Sequence, residues 1–170
     1  MMLNSERLAI VLVLLGAGSR LLHLPPNIAA VTGVTIFAGF VIRNLWLALA
    51  VPLAAMALAD VVLGFYPDLL FTYAGMAAGV LLARFLLHPL TVPRLIVTTL
   101  AASLVFFILS NLGVFVSGYY GYTVEGFVAC YVAALPFWQN SLVADVTSTA
   151  LVFVIYLALT RAIPSAKVQA

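Results

Sequence analysis

Very few side chains in this sequence could do chemistry. Asp60 and Asp145 are carboxylates, Arg20 a guanidinium and Asn111 an amide, each set inside or at the edge of an apolar run, and Thr72 and Tyr73 stand near the start of another. A charge in apolar surroundings costs several kcal/mol unless it is paired or hydrated. Such groups either lock helices together, Arg20 pairing with Asp60 or Asp145 and Asn111 completing the bonds, or line a cavity that binds a polar solute. One arginine cannot neutralise two carboxylates, which points to a ligand, a cation or a proton for the balance. A second set is aromatic and amide-rich: Tyr66, Tyr119, Tyr120, Tyr122, Phe137 and Trp138, interleaved with Pro25, Pro26, Asn27, Gln139 and Asn140. It reads either as a lid that stacks on a flat ligand or as an interfacial aromatic belt.

Other chemistries are excluded by what is missing from the sequence. Cys130 is the single cysteine, so neither an intrachain disulfide nor a zinc cluster of Cys/His type can form. No metal site is expected; Cys130 is the one candidate for a soft metal centre such as corrinoid cobalt, against the plainer reading of a small apolar residue. No intramembrane protease motif, lipid-transferase signature or nucleotide loop is present, so neither an enzyme nor a cofactor is expected. The net charge of +2 is too small and too scattered for nucleic acid.

The elements that position these groups follow from composition. Of 170 residues, 66% are hydrophobic and 7% charged, with a mean hydropathy of +1.25. A soluble domain carries about 25% charged residues, so the class is an all-α integral membrane protein forming a single transmembrane domain. Six runs approach the roughly 17–25 residues of a membrane helix: 8–22, 28–42, 45–65, 69–87, 95–116 and 141–159. Residues 126–135, between Glu125 and Pro136, are too few to span and predict a short outer interfacial or re-entrant helix. Arg7 with the apolar run behind it and Gly16-Ala17-Gly18-Ser19 has the look of a secretory signal, but apolar character resumes at Leu21 and a retained first span is expected.

With six alternating spans, Arg7, Arg43, Arg84, Arg94, Arg161 and Lys167 share one side, while Arg20, Asp68 and Glu125 share the other. Basic residues stay in the cytoplasm, which puts both termini inside. His23 and His88 then fall on opposite sides. Counted from the outer helix ends at about 1.5 Å per residue, Arg20, Asp60, Asn111 and Asp145 form one layer just below the outer boundary, joined by Thr72. The expected binding set is Arg20, Asn27, Asp60, Thr72, Asn111, Tyr120, Trp138, Asn140 and Asp145. Gly75 and Gly79 form a GxxxG pair, and Ala50/Ala54 and Ala55/Ala59 small-residue faces, read as packing within the bundle or as partner docking.

Several of these segments carry a resemblance. Pro25-Pro26-Asn27 with Val31-Thr32-Gly33, Asp60-Val61-Val62-Leu63-Gly64-Phe65, Asn111-Leu112-Gly113-Val114, and Cys130 to Phe137 with Asn140 and Asp145 resemble a family of small, functionally uncharacterised bacterial membrane proteins over most of the chain. That family is similar in size and hydropathy to the S components of energy-coupling factor (ECF) transporters, six-helix proteins that bind vitamins or metal ions from outside. The resemblance implies an S-component-like bundle in a bacterial inner membrane, a pocket at the outer end, a vitamin-like or metal-related nutrient, and a T component with its ATPases as partner. S components dock that partner through Ala-xxx-Ala in the first helix; the nearest match here is Ala9, Val13 and Ala17. The competing expectation is a non-catalytic accessory subunit of a larger membrane complex.

Overall fold

The computed structural model describes residues 31–162 together with 7, 10, 11, 13, 14 and 18. Among them are five helices and no strand: α1 (Val31–Val41), α2 (Leu45–Leu63), α3 (Leu69–Leu86), α4 (Val92–Val116) and α5 (Val124–Ala162). Against the six spans expected, the described residues hold four helices, α2 to α5, long and apolar enough to cross a membrane, and α1, at 11 residues, is shorter than a span. Helices α2 to α5 carry large exposed apolar side chains, among them Trp46, Val62, Phe85, Val97 and Val154, on faces that water would not tolerate at this density. This is a multi-pass membrane protein. The expected span at 8–22 lies outside the described residues except at isolated positions, of which Val13 is fully buried in the core.

Local signals set the helix starts. Asn44 Oδ1 accepts from the Leu47 amide (3.1 Å) to begin α2. Thr91 Oγ1 accepts from the Arg94 amide (3.4 Å), and Pro93 suits the first turn, where an amide hydrogen has no partner to lose. Accordingly α4 starts at Val92 rather than at 95. Thr123 Oγ1 accepts from the Gly126 amide (3.0 Å) and starts α5.

At α5 the structure departs from the expected break. Residues 126–135 and 141–159 are not two elements but one helix of 39 residues with Pro136 inside it, about 58 Å long at 1.5 Å per residue. A proline removes one intrahelical hydrogen bond and costs about 3 kcal/mol in a helix interior. Contacts along α4 on both sides of Pro136 offset that cost. Ring pairs Phe115–Phe127 (5.3 Å), Phe107–Tyr131 (5.8 Å) and Phe107–Trp138 (5.0 Å) hold the two helices together across the proline.

The short α1 is the hub. Every residue from 32 to 39 is buried, as expected of a helix apolar on all sides, and it packs against all four other helices, most extensively α3. Small residues allow the approach. A Cβ at Gly39 would run into the Val80 carbonyl oxygen, one at Gly79 would lie 2.7 Å from Thr35 Oγ1, and one at Gly75 2.9 Å from the Phe106 ring. The GxxxG pair therefore packs inside the bundle. On the other side Phe37 meets Phe153 and Tyr156 edge-on.

Neighbouring contacts fix the directions: α1, α3 and α5 run one way, α2 and α4 the other. One end is basic and tied down, with Arg84 donating to the Ile42 (3.0 Å) and Arg43 carbonyls and Arg94 to that of His88. The opposite end carries Asp68, Glu125 and the Tyr119–Tyr122 turn, where Gly118 and Gly121 take positive φ.

Candidate functional site

Two facing stripes build a cleft between α4 and α5. On α4 the register Ser103, Phe106, Phe107, Ser110, Asn111, Val114 repeats every three or four residues, and on α5 Ala134, Phe137, Trp138, Ser141, Asp145 does the same, so each set shares one helix face. The cleft measures about 280 Å³.

Its polar groups form a connected chain. Trp138 Nε1 donates to Ser103 Oγ (3.2 Å). The Asp145 carboxyl, only 5% exposed, lies beside the hydroxyls of Ser103 and Thr32. Thr32 brings α1 in behind Asp145, and Thr35 Oγ1 donates to the Thr32 carbonyl (2.9 Å). Asn111 Nδ2 (2.8 Å) and Ser110 Oγ (3.3 Å) both donate to the Phe107 carbonyl, and Ser141 Oγ donates to that of Phe137 (3.1 Å). Phe106, Phe107, Phe137 and Trp138 supply its aromatic lining, and outside the cleft the ring contacts continue from Phe107 through Tyr131, Phe127 and Phe115 to Tyr122 at the end of the helix pair.

Of the residues expected to bind, the structure brings Asn111, Trp138 and Asp145 together. Arg20 and Asn27 lie outside the described residues. Asp60 and Thr72 are buried elsewhere in the bundle, where Tyr73 Oη donates to Asp60 Oδ2 (2.7 Å) across α2 and α3. Tyr120 sits in the turn before α5 and Asn140 is exposed on α5; neither lines the cleft. The single polar layer is thus corrected to two separate groups. Its depth count assumed a helix opening at Ser141, whereas α5 opens at Val124. Asp145 is therefore about 31 Å along it and level with Ser103, while Asp60 is three residues from the end of α2.

Cys130 is buried, its thiol 3.5 Å from the Asn111 carbonyl oxygen. Among the described residues there is no group of three or more His, Cys, Asp or Glu side chains that could hold a metal ion. Ser103, Ser110, Ser141, Phe106 and Phe107 escape sequence reasoning because serine and phenylalanine are ordinary in membrane helices. The signal that finds them is the helical register running back from Asp145 and from Asn111.

The sequence profile of a family of unknown function, DUF6580, matches residues 3–166. The chain belongs to this family. The DUF6580 match takes in the whole cleft as well as the Asp60–Tyr73 pair. No curated protein and no solved structure matches the chain.

Proposed function

We propose that this DUF6580 protein is a non-enzymatic substrate-binding and uptake protein of the bacterial cytoplasmic membrane, of the S-component type, with six spans and both termini inside. In this reading α2 to α5 supply four of the spans, and the two further spans are those expected from the sequence at 8–22 and 28–42. The observation that carries it is the α4–α5 cleft, where an amide, three serines, a fixed indole and a buried carboxyl converge in about 280 Å³. A few placed polar groups against aromatic walls are the usual make-up of a small-molecule site. The solute is a small nutrient, and onward transport uses a T component with its ATPases or an equivalent partner.

The test is native mass spectrometry of the protein extracted in mild detergent or lipid nanodiscs. A small molecule should remain bound to the wild type and be lost from Trp138→Ala and Asn111→Leu. A wild type that carries no ligand, with both variants indistinguishable from it, would overturn the proposal.

A second reading, the accessory subunit, draws on α2, whose small residues Ala50 and Ala54 are exposed and so present a close-packing face uncovered by the described residues. It requires a stoichiometric large partner on copurification.

The orientation has its own check. Single cysteines placed at Asp68 and Tyr119 are expected to react with a membrane-impermeant maleimide in intact cells, and ones at Arg43 and Arg94 only after lysis. Labelling of Arg43→Cys in intact cells would reverse the topology.

A further inference from the structure

We infer that the cleft's ligand is a small organic cation, an ammonium or amidinium group on a flat or apolar remainder; this rests on the solute-binding reading above. The argument is an account of protons. Indole N–H can only donate, and that of Trp138 is given to Ser103 Oγ. Ser103 Oγ, having accepted that hydrogen, keeps one proton of its own to give, and the neighbouring acceptor is the Asp145 carboxyl, which Thr32 also adjoins. Ser110 and Ser141 spend their protons on the Phe107 and Phe137 carbonyls, and Asn111 turns its amino group to Phe107. What faces the cleft is mainly a set of acceptors, the Asp145 carboxyl oxygens, the Asn111 amide oxygen and the serine lone pairs, against one donor left over, the second N–H of Asn111. A ligand complementary to them consists of donors.

Charge points the same way. Ser103 and Thr32 are neutral, and among the described residues no cationic side chain reaches Asp145. Arg43, Arg84 and Arg94 stand at the basic end, where Arg84 and Arg94 are bonded to backbone carbonyls. On the elements around the cleft, Tyr131 Oη donates to the Ile108 carbonyl (2.8 Å), Cys130 faces that of Asn111, and Glu125 lies at the far end of α5. A buried carboxylate is strongly favoured by an opposite charge, and the faces of Phe106, Phe107 and Trp138 attract cations. An inorganic divalent ion is a poor fit, because one carboxylate and a few oxygens do not make six-fold coordination.

The test uses one ring system in three charge states: tryptamine (cation), tryptophol (neutral) and indole-3-acetate (anion), titrated by calorimetry against the full-length protein in nanodiscs at neutral pH. Tryptamine should bind at least about tenfold more tightly than the other two, and Asp145→Asn should abolish that preference. Equal binding of tryptamine and tryptophol to the wild type, tighter binding of the anion, or no binding of tryptamine up to about 1 mM overturns the inference; the wild-type comparison needs no variant to fold. A neutral or anionic molecule retained in the mass spectra and lost from Trp138→Ala would defeat the cation while sparing the binding site. A wild type empty in those spectra would defeat both.

Discussion

Replacing Gly39 by leucine is expected to leave almost no folded protein in the membrane. Gly39 is where the hub helix meets α3 backbone to backbone, and a Cβ there collides with the Val80 carbonyl oxygen and lies 3.0 Å from the Ala83 side chain. A carbonyl inside a helix cannot rotate aside as a side chain tip can. Helix α1 must therefore move away from α3, and because it also touches α2, α4 and α5 the displacement opens the packing around Phe37, Ile36 and Ile42, all fully buried. In lipid the hydrophobic effect does not hold helices to each other, so close packing carries the association. Overpacking costs about 1–3 kcal/mol where side chains can adjust, and this site belongs at the top of that range or above it. Ala54→Leu, on the exposed face of α2, is the control, with an expected change within about 0.5 kcal/mol. Both are read by fluorescence-detected size exclusion and thermal melting in detergent. A Gly39→Leu protein that is monodisperse and melts with the wild type would show that α1 is not the hub.

The parts of this fold that sequence reasoning reaches are those governed by local rules. Helices α2, α3 and α4 begin and end within three residues of their apolar runs, since Asn44, Thr91 and Gly64 act on their own neighbours. Helix α5 departs from the expected break for a definite reason: Pro136 ends an isolated helix, and what carries the backbone through it is the ring packing of Phe107 against Tyr131 and Trp138, a contact between chain segments some thirty residues apart. That continuity sets the depth of Asp145 and separates the two polar groups that a break at Pro136 would put in one layer. Asn111, Trp138 and Asp145 are legible by residue type alone. Their partner Ser103 is not, nor is Thr32, because a hydroxyl becomes informative only when the carboxylate and the indole it joins are known to meet. Gly39 shows the same limit, for its importance belongs to the Val80 carbonyl as much as to itself.

The acid outside the cleft should behave in the opposite way from Asp145. Asp60 is fully buried, lines no part of the α4–α5 cleft, and accepts the Tyr73 hydroxyl at 2.7 Å, a bond that joins the end of α2 to the start of α3. Hydrogen bonds to a charged group contribute about 1.5–3 kcal/mol, and leaving the partner buried and unsatisfied adds its desolvation cost. Asp60→Leu is therefore expected to lose about 3 kcal/mol or more and to lower the melting temperature by several degrees, while whatever fraction folds keeps its ligand affinity. Tyr73→Phe, which removes the donor and keeps the ring, should cost less, because the acceptor it abandons has further interactions within the fold. Asp145→Asn reverses the pattern: the amide retains an oxygen for Ser103 and Thr32, so melting should shift little while cation binding falls at least about tenfold, equivalent to roughly 1.4 kcal/mol. The two positions are far enough apart in their contacts that Asp60→Leu and Asp145→Asn should combine additively in stability to within about 0.5 kcal/mol. The measurement is a thermal-shift and calorimetry series on the single and double variants in the same detergent. An Asp60→Leu protein that melts with the wild type but no longer binds ligand would place Asp60 in the binding site, and an Asp145→Asn protein that melts early with its cation binding intact would place Asp145 in the framework, the reverse of the division drawn from their partners.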